Sequence, residues 1–159
     1  NASGRACAVK FFLIDYNTHH RQTGTKEERQ AWREAEMADK LADAEKEKQF
    51  WNRVYGDELK IQVCVIKLNN LWCLMMPYFD QVLDDGEREH CLKHVESHLT
   101  RFKGMNLRYN MNDVQWRHVG VRNGCVYIFD LGSLDECHAS EINVDAQVEK
   151  LRREIQNRD

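Results

Sequence analysis

The sequence predicts an α+β fold rather than alternating βαβ units. Three observations carry this. A long run free of Gly and Pro is rich in Ala, Glu, Lys and Arg; two pairs of apolar runs are each joined by an Asn-Asn or Asn-Gly dipeptide; and two further segments carry apolar residues at helical spacing.

Residues 6–14, ACAVKFFLI, are short and rich in β-branched and aromatic residues, which reads as a strand with Lys10 as its charged intruder. Tyr16 to Thr25 lacks an apolar period and reads as loop. Lys26 to Tyr55 reads as a long helix with Gly56 as its stop signal. Its first half is nearly all polar apart from Trp32, Met37 and Leu41. The second half gains Ala44, Phe50, Trp51 and Val54, so it must be the buried part. Ile61 to Leu68, Asn69-Asn70 and Leu71 to Pro77 make a β-hairpin. Leu92, Val95, Leu99 and Phe102 mark an amphipathic helix over 87–103, ending before Gly104. Val119 to Arg122 and Val126 to Phe129 flank Asn123-Gly124 as a second hairpin, and a last helix from Val144 to Gln156 places Val148, Leu151 and Ile155 on one side.

With 159 residues, 42% of them hydrophobic, the chain reads as a single domain with one core. Lys and Arg number 23 against 26 Asp and Glu, and the basic residues are scattered, which argues against a nucleic-acid binder driven by phosphate contacts. The longest apolar runs, such as Leu71 to Pro77, fall far short of the roughly 18 residues a membrane span requires. The chain opens at Asn1 without a basic-then-apolar leader and so reads as a segment of a longer protein. Cys7, Cys64, Cys73, Cys91, Cys125 and Cys137 show no CxxC spacing. Buried free thiols in a reducing compartment are the expectation, not a disulfide framework.

The polar residues that break these patterns carry the functional argument. Lys10 sits in Ala8-Val9-Lys10 on a strand. Stepping 44, 47, 51, 54 along the long helix places Glu47 on the buried face, where a carboxylate requires a partner. Asp130 ends the apolar strand of Tyr127-Ile128-Phe129-Asp130-Leu131-Gly132. Asp113 lies seventeen residues earlier, in a loop between a helix and a hairpin strand.

In this order the four resemble the protein-kinase signature set: a strand lysine in A-V-K, a helix glutamate, a catalytic-loop aspartate and an Asp-x-Gly. Leu74-Met75-Met76-Pro77 closes the first hairpin where a kinase places its gatekeeper and hinge. More narrowly, YNMNDVQWRHVGV followed by VYIFDLG, with LMMPYF and FWNRVYG upstream, looks like the small kinase-like domains of Crinkler-type effectors of fungi and oomycetes, over about Ala6 to Leu134. The resemblance implies a minimal kinase-like fold over 1–159. In it, an N-lobe antiparallel sheet with one long αC-type helix and the hinge span about 1–78, and a much reduced helical C-lobe spans 79–159.

The implied roles follow what phosphoryl transfer needs, which is positioning and charge neutralisation. Lys10 would contact the α- and β-phosphates of ATP and Glu47 would hold it as an ion pair. Asp130, in the Asp-x-Gly that ends at Gly132 beside the nucleotide, would bind Mg²⁺, with Mn²⁺ as a substitute. Asp113 would accept the proton of a Ser or Thr hydroxyl on a protein substrate. Met75, as gatekeeper, Met76 and Tyr78 would line or follow the adenine slot. The family further implies a secreted effector acting on host proteins inside a host cell, often in its nucleus.

The sequence departs from the pattern in defined places. His118 stands where a kinase has the asparagine for a second metal: either it is the subfamily's own metal ligand beside Asp130, or, imidazole being a softer ligand than oxygen, the second metal site is impaired. Gln115 replaces the lysine that meets the transferred phosphate, and Asn112 replaces the arginine that reads an activation-loop phosphate. Of a glycine-rich loop only Gly4 remains, and 27 residues follow Gly132, with no Ala-Pro-Glu. Two readings of the short tail stand side by side: the last helix packs beneath the catalytic loop as a substitute, or the chain has simply been cut. These departures keep two other readings open: a pseudokinase that binds without turnover, and a half that needs a partner to complete it. His90, His94 and His98 drift around their helix and read as a solvated face, as do the charged residues of 26–40. His19 and His20 read as surface, Trp116 and Arg117 as packing and anchoring residues.

Overall fold

The computed structural model describes residues 7–14, 24–59, 63–82 and 84–156. Ala6, Gly4, His19, His20 and most of the 16–25 loop lie outside these. The fold is mixed α and β, with antiparallel sheets and one long helix. The chain divides into two compact units between Pro77 and Tyr78.

The first unit is a three-stranded antiparallel sheet with a helix on it. β1 (Cys7–Phe12), β2 (Cys64–Leu68) and β3 (Leu71–Pro77) pair in the order β1-β3-β2. The turn between β2 and β3 is tight because Asn69 and Asn70 take left-handed φ of 47° and 64°, which asparagine tolerates. α1 (Lys26–Leu59) starts at a reciprocal cap: Thr25 Oγ1 accepts from Glu28 N at 3.2 Å and Glu28 Oε2 from Thr25 N at 2.7 Å. Ala44, Trp51, Val54 and Tyr55 are almost fully buried, so the second half of α1 carries the packing, as its composition predicts. The helix does not stop at Gly56 but runs on to Leu59. One glycine costs a helix only about 1 kcal/mol relative to alanine, and the buried Val54 and Tyr55 just before it outweigh that.

The second unit pairs two helices with two small sheets. β4 (Asp80–Gln81), β6 (Val119–Arg122) and β7 (Cys125–Ile128) form one sheet in the order β4-β6-β7, and β5 (Leu107–Tyr109) pairs with β8 (Leu134–Glu136). The β6–β7 turn is the expected Asn123-Gly124, both with positive φ. β4 approaches β6 closely because residue 120 is glycine: a Cβ there would stand 2.7 Å from the Phe79 Cβ and 3.0 Å from the Asp80 carbonyl. α2 (Asp85–Gly104) is capped by Asp84 and packs on α3 (Val144–Gln156), with Leu92, Val95 and Leu99 of the one and Val148 and Leu151 of the other buried. α2 includes Gly104, because Asn106 rather than the glycine takes the left-handed residue after the helix.

All six cysteines are free, as expected, but only Cys73 and Cys91 are buried; Cys7 and Cys125 are exposed. Cys7 lies on an outward position of β1, an edge strand whose Val9 and Phe11 are also exposed. No described helix is long and apolar enough to cross a membrane.

Candidate functional site

In the first unit, Lys10 and Glu47 meet. The Lys10 ammonium lies 2.6 Å from Glu47 Oε2, and also 5.5 Å from the centre of the Phe12 ring. Glu47 has no exposed surface, whereas the Lys10 side chain keeps 30% of its own. The carboxylate is thus anchored in the core and the ammonium is the end that reaches solvent. This placement follows from local geometry. Ala44, Glu47, Trp51 and Val54 share one face of α1, and β1 alternates so that Ala8, Lys10 and Phe12 point the same way.

Register decides between the two methionines. In an antiparallel pair, residues directly opposite share a face. Lys10 faces Leu74 and Ala8 faces Met76, so Leu74 and Met76 stand on Lys10's side of the sheet. Met75 faces Val9 and Cys64 and stands on the other. Met76, and not Met75, therefore shares the face of the sheet that carries Lys10.

In the second unit, Asp113, His118 and Asp130 come together around two short strands. Tyr109 ends β5, opposite Leu134 of β8, so the loop beginning at Asn110 and the turn leading into β8 are held side by side. Asn110 shapes that loop. Its side chain accepts from Asn112 N at 2.9 Å and its carbonyl accepts from Asp113 N at 3.0 Å and Val114 N at 3.1 Å. The Tyr109 hydroxyl donates to the Phe129 carbonyl at 3.0 Å, just before Asp130.

His118 joins the two carboxylate positions. Its Nδ1 lies 2.8 Å from the Asp113 carbonyl, which fixes the proton on that nitrogen. Nε2 then accepts from Arg117 Nε at 3.2 Å, with Asp130 Oδ2 3.4 Å away. Both ring nitrogens are thus engaged by the chain itself. Asp130 has φ 62° and ψ 51°, a left-handed conformation that aspartate tolerates better than most residues. Gly132 follows in a one-turn helix, exposed, while Leu131 beside it is fully buried and pins the turn.

The loop is also held from α3. Gln147 donates to the Tyr109 carbonyl at 2.6 Å, and Lys150 to those of Met111 at 2.6 Å and Asn112 at 3.2 Å. The Trp116 indole donates to the Leu151 carbonyl at 2.9 Å. Trp116, buried and bonded to α3, packs and anchors the loop, whereas Arg117 is exposed. Gln115 turns back to donate to the Asn112 carbonyl at 2.8 Å. Tyr78 has an exposed side chain, and its carbonyl accepts from Arg122 at 2.8 Å.

Sequence reasoning missed Gln147, Lys150 and His98. His98 is not part of a solvated face: its Nε2 lies 2.8 Å from the Val126 carbonyl and its ring stacks on Tyr127, which ties α2 to β7. Among the described residues no group of three or more His, Cys, Asp or Glu side chains could hold a metal. A pocket of about 520 Å³ in the second unit, lined among others by Asp80, Glu87, His90 and Cys91, contains none of the residues named for phosphate chemistry.

Residues 1–122 match a family described as a family of unknown function (DUF5898). The chain belongs to that family. The match includes Lys10, Glu47, Asp113 and His118 but stops before Asp130 and α3. No curated protein and no solved structure matches the chain.

Proposed function

We propose that this chain is an atypical kinase-like domain that binds Mg-ATP and transfers its terminal phosphate to a Ser or Thr hydroxyl of a protein. The observation that carries the reading is the Lys10–Glu47 pair, in which a wholly buried carboxylate holds an ammonium whose other side meets solvent. A carboxylate is costly to bury, and structural stability alone is poorly served by such a pair. Holding one cation fixed for phosphate oxygens is what it does well.

Asp113 supplies the base. The substrate oxygen bonds to the γ-phosphorus, the bond from that phosphorus to the bridging oxygen breaks, the hydroxyl proton passes to the Asp113 carboxylate, and ADP leaves. Lys10 donates to the α- and β-phosphate oxygens while Glu47 keeps it from turning away. Met76, on Lys10's face of the sheet, lines the adenine side, and Tyr78 follows it. Asp130 offers a partly exposed hard oxygen that suits Mg²⁺ or Mn²⁺. His118 suits neither, with Nδ1 on the Asp113 carbonyl and Nε2 beside the Arg117 guanidinium. When bound, the ion neutralises charge on the β- and γ-phosphate oxygens. The Crinkler-like resemblance extends the proposal to a secreted effector acting on proteins in a host cell, often in the nucleus.

A pseudokinase is the second reading, favoured by His118 and Gln115, which both spend their polar atoms on the loop itself. Incubation with γ-labelled ATP, Mg²⁺ or Mn²⁺, and dephosphorylated casein separates the two. The kinase reading expects label in casein or in the chain, reduced about 10²-fold or more in Asp113→Ala and lost in Lys10→Met. ATP-dependent thermal stabilisation with no label in the parent establishes the pseudokinase instead.

A further inference from the structure

We infer that Lys150, on α3, is the phosphate-binding cation of the Asp113 loop. The inference rests on the phosphotransfer reading and names a residue that reading lacks. Residues 110–115, Asn-Met-Asn-Asp-Val-Gln, contain no cation. Gln115 donates its amide to the Asn112 carbonyl, and the Arg117 guanidinium lies against His118. The loop itself therefore offers no cation to a phosphoryl group near Asp113.

Lys150 can. Its ammonium donates to the Met111 carbonyl at 2.6 Å and the Asn112 carbonyl at 3.2 Å, one peptide unit from Asp113. An ammonium has three donors. Two are used on these carbonyls, and among the described residues the third has no protein partner. Nor does Lys150 form an ion pair among the described residues, whereas its α3 neighbours Arg152 and Arg153 both pair with Glu149.

The helix that carries it is fixed on either side. Gln147 donates to the Tyr109 carbonyl, and the Leu151 carbonyl receives the Trp116 indole, with Leu151 itself buried. The cation is consequently held at the loop by its own helix, its third donor available for a phosphoryl oxygen. Its ligand is the phosphoryl group at the moment of transfer. A lysine two residues after the catalytic aspartate is unnecessary when one arrives from 37 residues downstream.

The test uses isotope-labelled protein titrated with inorganic phosphate and followed by amide chemical shifts, alongside ATP turnover. The parent should show saturable shifts at Met111, Asn112 and Asp113. In Lys150→Met the dissociation constant should rise about tenfold, the worth of one charge-assisted hydrogen bond, while Lys150→Arg should retain binding. Unchanged amides away from the loop show that each variant is folded. In turnover, Lys150→Met should lower kcat about tenfold with the KM for ATP unchanged. Loop shifts that are absent, or equal in Lys150→Met and parent, overturn the inference even if the parent transfers label. Lys150-dependent shifts in a parent that transfers no label uphold the anion site and overturn the kinase reading instead.

Discussion

The two units hold their charged residues by opposite means. In the first, one ion pair depends on one wholly buried carboxylate. In the second, the Asp113 loop is tied down by at least five hydrogen bonds, four of them from or to α3. A buried pair concentrates its energy in one contact and fails at once when a partner is removed. A tethered loop spreads its energy, so that single losses should be mild and position should suffer more than stability.

The largest effect should therefore come from Lys10→Met. Glu47 would keep its burial and lose its ammonium, at a cost of about 4 kcal/mol in urea unfolding. Replacing both residues, as Lys10→Met with Glu47→Leu, should recover most of that, because an apolar pair of similar volume needs no counter-charge. A single variant as stable as the parent would break the contrast.

Next in size is Leu151→Ala. The side chain is 1% exposed between α3 and the rest of its unit, and its truncation should cost about 3 kcal/mol. Trp116→Phe keeps an aromatic ring in place but removes the donor to the Leu151 carbonyl and some buried volume. It should cost about 1 kcal/mol and speed amide exchange in the loop. A loss as large as that of Lys10→Met would show that the loop, too, hangs on one contact.

The smallest effect concerns Cys91 in α2, whose thiol is pushed above the usual range first by burial and second by the charge of Glu87. Because the folded state disfavours the thiolate, the associated stability is present below the ordinary cysteine value of about 8.5 and is lost as pH rises through the folded one. Iodoacetamide at mildly alkaline pH should modify exposed Cys125 well before Cys91. Equal rates would show that α2 opens readily.

Much of the fold was legible because its signals are local. Asn69-Asn70 and Asn123-Gly124 name their turns through the left-handed φ they adopt. Glu47 could be placed on the buried face by counting helical steps from Ala44 to Trp51. The elements that escaped are those fixed by distant partners. β4, β5 and β8 are two or three residues long and have no alternation to read. Met75 and Met76 are chemically identical neighbours, and only the pairing of β3 with β1 says which shares a face with Lys10. His98 and Lys150 spend their nitrogens on backbone carbonyls 28 and 38 or 39 residues away, a contact that leaves no pattern in the chain.

Calorimetric titration of Mg-ATP into the parent and the Lys10→Met/Glu47→Leu double variant bears most directly on what the buried pair is for. The double variant should remain folded and bind at least about tenfold more weakly, since the proposal gives the ammonium charge-assisted bonds to phosphate that the variant lacks. Equal affinity in the two proteins would contradict the account, leaving Lys10 and Glu47 with no part in nucleotide binding.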